Sequence, residues 1–123
     1  MTAADRQLFE RAVEIAARAY APYSRFHVGA AVRTRDGRVF EGVNVENAAY
    51  PLGICAEKTA LARAVTDGCS RGDLEAIAIT ASPCGGCRQW LVELGLERVI
   101  YRSTGGEVVA AAPAELLPDT FEL

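Results

Sequence analysis

The chain has 123 residues, of which 50% are apolar, and 13 basic against 16 acidic residues give a formal net charge of -3. This length is sufficient for one hydrophobic core but too short for two, so we expect a single domain over residues 1–123. No apolar run approaches the ~20 residues of a membrane span, and no basic start precedes an apolar segment, so we expect a cytoplasmic protein without membrane contact. The basic residues form no run, which argues against a nucleic acid partner.

The first third of the sequence predicts a helix followed by a β-hairpin. Residues 2–20 begin with a Thr-x-x-Asp capping pattern and then place apolar residues at helical spacing. A short run of small apolar residues at 28–32 predicts a buried strand. Asp36-Gly37 predicts a tight turn into a return strand over roughly residues 38–44.

The remaining elements alternate between helix and strand. Helices are predicted at 55–67, 84–94 and 113–117, and strands at 74–80, 98–101 and 107–110. A hairpin followed by such alternation predicts a three-layer α/β/α sandwich with one mixed sheet of about five strands.

Three cysteines in two short motifs form a candidate set of metal ligands. Cys84 and Cys87 are three residues apart at a predicted helix start, a spacing that lets both side chains face one ion. Cys55 opens another predicted helix, and the positive end of a helix favours the thiolate form of cysteine. Three thiolates suit a zinc ion that keeps a fourth coordination position for water.

Glu57 follows Cys55 by two residues and carries the acid or base of the motif. Because residues two apart on a helix do not share a face, we expect Glu57 to move protons rather than to bind the metal. Cys-x-Glu together with a distant Pro-Cys-x-x-Cys is the three-cysteine form of the zinc-deaminase signature. The residues therefore predict hydrolytic removal of an amino group from an aromatic ring.

The main alternative for the cysteines is a purely structural zinc site. Structural sites normally have four protein ligands, and the only histidine, His27, lies in another segment. Disulfides are less favoured because the chain carries no secretion signal. We assign no role to Cys69, which we interpret as a small buried residue, or to His27.

Six short segments, in order along the chain, carry the motifs of one known family. They are residues 20–26, 29–31, 44–48, 55–57, 83–89 and 116–118. On these residues the sequence resembles the short, homotetrameric cytidine deaminases. The resemblance implies a zinc ion held by Cys55, Cys84 and Cys87, with Glu57 as the proton shuttle.

The resemblance also implies residues that hold a nucleoside substrate. Phe26 would lie against the pyrimidine, Asn44 and Glu46 on the ribose hydroxyls, and Ala56 would contribute its backbone. For Asn44 and Glu46, an equally weighted interpretation is that their side chains only satisfy backbone groups of a turn.

The homotetramer that the resemblance implies has neighbouring chains completing each pocket. Tyr50 and Phe121 match the positions expected to do so. Family members often carry arginine directly after the catalytic glutamate, where this chain has Lys58, its only lysine. Since three thiolates outweigh the charge of Zn²⁺, we expect Lys58 to add a positive charge that tunes the zinc site.

The function predicted from the sequence is deamination of cytidine and deoxycytidine to uridine and deoxyuridine, in pyrimidine salvage. One alternative is a zinc deaminase that acts on a modified cytosine nucleoside such as blasticidin S. An alternative of another class is a non-catalytic, zinc-stabilised binding module, in which Glu57 is merely an acidic residue favoured by the helix dipole.

Overall fold

The computed structural model describes residues 1–123 and contains four α-helices and five β-strands. In chain order these are α1 (Ala3–Ile15), β1 (Gly29–Thr34), β2 (Val39–Val43), α2 (Ala56–Thr66), β3 (Leu74–Ile79), α3 (Gly85–Glu93), β4 (Arg98–Arg102), β5 (Val108–Ala111) and α4 (Pro113–Leu116). Short 3₁₀ turns occupy Ala16–Arg18 and Tyr50–Leu52. None of the helices has the length and apolar character needed to cross a bilayer.

Helix α1 begins as predicted but ends earlier. Thr2 Oγ1 accepts a hydrogen bond of 3.0 Å from the Asp5 N–H, and the Asp5 carboxylate accepts one of 3.1 Å from the Thr2 N–H. This reciprocal pair is a capping box. The predicted extension to Tyr20 is wrong because the Tyr20 N–H donates to the Asn44 carbonyl at 3.0 Å, which draws residues 19–20 away from the helix axis.

The five strands form one mixed sheet in the order β2-β1-β3-β4-β5. Strands β3 and β4 pair in parallel, and the other three pairs are antiparallel. The predicted mixed five-stranded sheet is therefore confirmed, with strand ends shifted by one or two residues.

Alternate residues of the sheet bury two separate apolar clusters, one on each face. On one face Ala31, Ala78 and Ile100 pack against Leu8 and Ala12 of α1. On the other face a larger cluster joins the sheet to α2 and α3, and its members include Val32, Ile77, Ile79, Ala60, Leu61 and Leu91. These two interfaces give the predicted three-layer α/β/α sandwich.

A glycine allows α2 to lie unusually close to the sheet. A Cβ atom added to Gly42 of β2 would come within 2.3 Å of the Ala60 nitrogen and 2.7 Å of the Ala56 carbonyl oxygen. No Cβ atom fits at such distances, so the backbone of α2 rests directly on β2. This close approach fixes the start of α2, where Cys55 and Glu57 are found.

Candidate active site

Three cysteine sulfurs lie close together at the starts of α2 and α3. The Sγ atoms of Cys55, Cys84 and Cys87 all lie within 4.8 Å of one another. Cys55 and Cys84 are separated by 3.9 Å. Cys87 is buried, Cys55 is partly buried and Cys84 is exposed, so the cluster opens towards solvent on one side.

The starts of α2 and α3 place these sulfurs. Cys55 is the N-cap residue of α2 and Cys84 that of α3, and both have extended backbone conformations. Neither side chain caps its own helix with a hydrogen bond, which leaves both sulfurs available to a ligand. Cys87 lies one turn into α3, so the positive ends of two helices point at the three thiols.

The thiols shift one another's pKa values. Hydrogen bonding from Cys87, hydrogen bonding from Cys84 and the charge of Lys58 together lower the pKa of Cys55 to about 6, even though burial opposes this. The same contact with Cys55, together with burial, raises the pKa of Cys87. Three adjacent thiolates repel one another without a cation between them, and soft sulfur ligands at this spacing suit Zn²⁺.

Glu57 is a buried carboxyl group in the first turn of α2. It is only 3% exposed. Burial raises the pKa of Glu57, and the neighbouring Cys55 adds to this effect, whereas Lys58 and hydrogen bonds to the carboxylate act against it. A carboxyl group whose pKa is moved towards neutrality can both take up and release protons, as an acid and base in catalysis must.

Lys58 is partly buried and lies over the ring of Trp90. Its Nζ atom is 5.9 Å from the Trp90 ring centroid, at the outer limit of a cation–π contact. Lys58 donates no hydrogen bond to a cysteine sulfur, so its charge reaches Cys55 through space. The contact between Lys58 and Trp90 was not predicted from the sequence, because it depends on how α2 and α3 pack.

A cleft of about 470 Å³ lies beside Cys55. It brings together three of the predicted substrate residues, Asn44, Glu46 and Tyr50. Tyr23 and Ser24 also line this cleft, although neither was predicted from the sequence to have an individual role. Their position within the family motif at residues 20–26 could have indicated a role in the site. Phe26, Ala56, Glu57 and Phe121 do not line the cleft.

Asn44 and Glu46 both hold the segment 23–28 in place. Asn44 Oδ1 accepts a 2.8 Å hydrogen bond from the Val28 N–H, and its Nδ2 donates a 2.9 Å bond to the Phe26 carbonyl. Glu46 Oε1 accepts from the N–H groups of Tyr23 and Ser24 at 2.9 and 3.1 Å, and Oε2 accepts from the Ser24 hydroxyl. Both side chains therefore bind backbone groups of a turn, which is one of the two roles that the sequence predicts for them.

These contacts do not use all the hydrogen-bonding capacity of either side chain. A carboxylate offers about four acceptor positions, of which Glu46 uses three. Hydrogen bonding from Ser24 lowers the pKa of Glu46 despite the opposing effect of desolvation, so the group stays ionised. An ionised carboxylate with a free acceptor position at a cleft wall suits a hydroxyl group.

The other predicted substrate residues differ widely in exposure. Phe26, Tyr50 and Phe121 are 61%, 79% and 72% exposed in the single chain. Ala56 is fully buried at the first position of α2, where a backbone N–H has no intrahelical acceptor. Arg25, beside Phe26, has a φ of 59°, a conformation that is uncommon for residues other than glycine.

Three thiols at paired helix starts, with a buried glutamate beside them in an α/β/α sandwich, form the arrangement of a zinc-dependent deaminase. Residues 2–103 match the family model described as the cytidine and deoxycytidylate deaminase zinc-binding region. The chain belongs to this family, whose cofactor is zinc, and the family predicted from the sequence is confirmed.

Individual relatives agree with this assignment. The cytidine deaminase of Halalkalibacterium halodurans is 44% identical, and the match covers 95% of this chain and 94% of that protein. The cytidine deaminase of Mycobacterium tuberculosis is 41% identical and covers 91% of this chain and 85% of its own length. The crystal structure of cytidine deaminase from Burkholderia pseudomallei has a TM-score of 0.89 and 45% identity, and it covers 98% of this chain and 100% of that one.

Proposed function

We propose that this protein is a cytidine deaminase, which converts cytidine and deoxycytidine to uridine and deoxyuridine and releases ammonia. The observation that carries the proposal is the convergence of three thiols within 4.8 Å of one another, beside a glutamate. Relatives across nearly the whole chain bear the name cytidine deaminase. We infer that the protein acts in pyrimidine salvage, in the cytoplasm.

Cys55, Cys84 and Cys87 would hold the metal, and Glu57 would move the protons. A zinc ion held there would supply an activated water for hydrolysis at the amino-bearing carbon of the pyrimidine. Glu57 is buried and its pKa is raised, so its carboxylate would take the two protons of the attacking water in turn, passing the first to the ring nitrogen and the second to the departing amino group. Ammonia leaves, and a carbonyl group remains on the ring.

We propose that Asn44, Glu46, Phe26 and Ala56 bind the substrate, and the cleft lining supports this for Asn44 and Glu46. Glu46 would accept hydrogen bonds from the ribose hydroxyls, and Asn44 could donate to them or accept from them, since both line the cleft and keep free hydrogen-bonding capacity. Phe26 would lie against the pyrimidine, on the segment that Asn44 fixes. The backbone of Ala56 would supply a hydrogen bond at the start of α2.

Lys58 would tune the charge of the metal site. Its ammonium group lies close enough to lower the pKa of Cys55, and it offsets part of the negative charge of three thiolates. We expect Lys58→Gln to move the pH–rate profile to higher pH, and Lys58→Arg to keep it. Identical profiles for wild type and Lys58→Gln would contradict this role.

The assembly that we propose is a homotetramer in which neighbouring chains complete each cleft. Tyr50 and Phe121 are mostly exposed aromatic residues in the single chain. Burying such rings against another chain is favourable, and aromatic residues are enriched at interfaces. Light scattering of the purified protein tests this directly, because a monomeric mass would contradict it.

A panel of nucleosides followed by ultraviolet absorbance tests the proposed activity. We expect cytidine and deoxycytidine to be converted to their uracil products and adenosine to be left unchanged. Faster turnover of blasticidin S than of cytidine would point to the modified-nucleoside alternative. No turnover by zinc-loaded protein would point to the non-catalytic alternative and contradict the proposal.

A further inference from the structure

Arg88 forms a set of contacts that none of the roles above uses. It follows Cys87 directly in α3 and is partly buried. Its Nε donates a 2.9 Å hydrogen bond to the Pro83 carbonyl, and its Nη1 donates one of 2.9 Å to the Leu116 carbonyl. Its Nη2 makes a longer contact of 3.4 Å with Ser82 Oγ. One planar guanidinium group thus joins α3 to two other segments.

The first of these segments is the short connection that leads into Cys84. Strand β3 ends at Ile79, and only residues 80–83 separate it from Cys84. The upstream end is tied to β1, since Thr80 exchanges hydrogen bonds of 3.0 and 3.1 Å with the backbone of Gly29. Arg88 ties the downstream end through the Pro83 carbonyl, which belongs to the peptide bond that precedes Cys84.

The second segment is the C-terminal one. Arg88 binds the carbonyl at the end of α4, and Gln89 Nε2 donates a 3.2 Å hydrogen bond to the Phe121 carbonyl. Consecutive side chains of α3 therefore attach the C-terminal segment to the helix that carries Cys87. A movement of this segment would be transmitted to the guanidinium group of Arg88.

We propose that Arg88 is a positioning residue of the metal site, which holds the Pro83–Cys84 peptide and thereby fixes the sulfur of Cys84 relative to that of Cys87. The proposal rests on the metal site assigned under the proposed function. The fork of arginine suits this task because one rigid plane can donate to acceptors in different directions, which a lysine ammonium group does less well. Arg88 does not line the cleft and donates no hydrogen bond to a cysteine sulfur, so it would act through the backbone of Pro83.

Zinc release to a chromophoric chelator tests the proposal without relying on activity. Groups that orient metal ligands typically contribute about 10- to 100-fold to metal affinity. For Arg88→Met we expect zinc to be lost at least about 10-fold more readily than from wild type. Arg88→Lys, which keeps the charge and most of the stem, should fall between wild type and Arg88→Met.

Arg71→Met is the matched control. Arg71 also donates from its guanidinium group to backbone carbonyls of α3, those of Val92 and Glu93, but at the end away from the cysteines. We expect wild-type zinc release from this variant. Equal zinc release from Arg71→Met and Arg88→Met, or wild-type release from Arg88→Met, would overturn the proposal.

Arg88→Lys keeps the test decisive if Arg88→Met does not fold, because wild-type zinc release from Arg88→Lys would also overturn the proposal. Failure of the proposed function would give a different result, because wild-type protein would bind zinc but leave cytidine unchanged. Zinc release could still be compared among the variants in that case.

Discussion

The sulfur of Cys55 lies 3.9 Å from that of Cys84, although 29 positions separate the two residues in the chain. Each residue is the N-cap of a different helix, and both helices pack on the same face of the sheet. The metal site therefore depends on the relative placement of α2 and α3. A change that moves either helix start should alter the site, even without touching a cysteine.

Replacing one of the clustered cysteines should remove the metal. We expect wild-type protein to bind one zinc per chain, and Cys84→Ser to lose most of it because two thiolates make a much weaker soft-ligand site. Cys69→Ala is the control, since Cys69 is buried in the main apolar cluster and lies outside the three-sulfur group. Metal analysis of wild type, Cys84→Ser and Cys69→Ala measures the zinc content of each protein. Full zinc content in Cys84→Ser would contradict the ligand assignment.

Gly42→Ala should destabilise the fold and disturb the site together. The added methyl group would meet the backbone of α2 at 2.3 Å, so the helix must shift. Overpacking of this kind costs about 1 to 3 kcal/mol, which urea unfolding measures. Gly105→Ala is the control, because its added Cβ meets only Ser103 Oγ at 3.8 Å. Unfolding free energies that agree between the two variants would contradict the close approach of α2.

Much of this architecture was predictable from local sequence. The Thr2 and Asp5 capping pattern gave the start of α1, and the alternating elements gave the mixed sheet. The end of α1 was not predictable, because Tyr20 leaves the helix to bond with Asn44, a residue far along the chain. Propensity at residues 16–20 carries no information about such a partner.

The site was predictable to a similar degree. The spacing of Cys84 and Cys87 predicted a shared ligand position, and the structure brings these sulfurs together with that of Cys55. The contact between Lys58 and Trp90 and the ties made by Arg88 were not predictable, since both depend on the packing of α3 against other segments. The hydrogen bonds of Asn44 and Glu46 showed that one side chain can hold a turn and still face a cleft.

Acid should weaken the fold through Asp5. This carboxylate is completely buried, at 2.9 Å from Arg33 and 3.0 Å from Arg98. Burial alone would raise the pKa of Asp5, but the hydrogen bonds from Arg98 and Arg33 outweigh it and hold the pKa well below its usual range. A pKa that is lower in the folded than in the unfolded state adds stability above pH ~4, which is lost as the pH falls further.

Asp5→Asn tests this origin of the acid sensitivity. The variant leaves two arginines without their buried partner, so we expect a loss of about 3 kcal/mol at pH 7. Between pH 5 and pH 2 its unfolding free energy should fall less steeply than that of wild type, because one depressed pKa is gone. Parallel pH dependences of the two proteins in this range would contradict the role of Asp5.

Glu46 should favour nucleosides over nucleotides. Its ionised carboxylate lines the cleft, and neither arginine nor lysine is among the lining residues. A phosphate on the sugar would therefore meet an uncompensated negative charge. We expect cytidine to be turned over faster than cytidine monophosphate, and Glu46→Gln to reduce the difference in kcat/KM. Equal turnover of both substrates by wild type would contradict the sugar-side assignment.

Proton transfer by Glu57 is tested by measuring the ammonia that wild type and Glu57→Gln release from cytidine, with zinc measured in the same samples. Glutamine keeps the size of the buried side chain but cannot take up or release a proton as a carboxyl group does, so we expect turnover to fall by about 100- to 10,000-fold. Zinc content should stay at one per chain in both proteins. Ammonia release by Glu57→Gln at the wild-type rate, with zinc bound, would contradict the claim that Glu57 moves the protons of a zinc-dependent deamination.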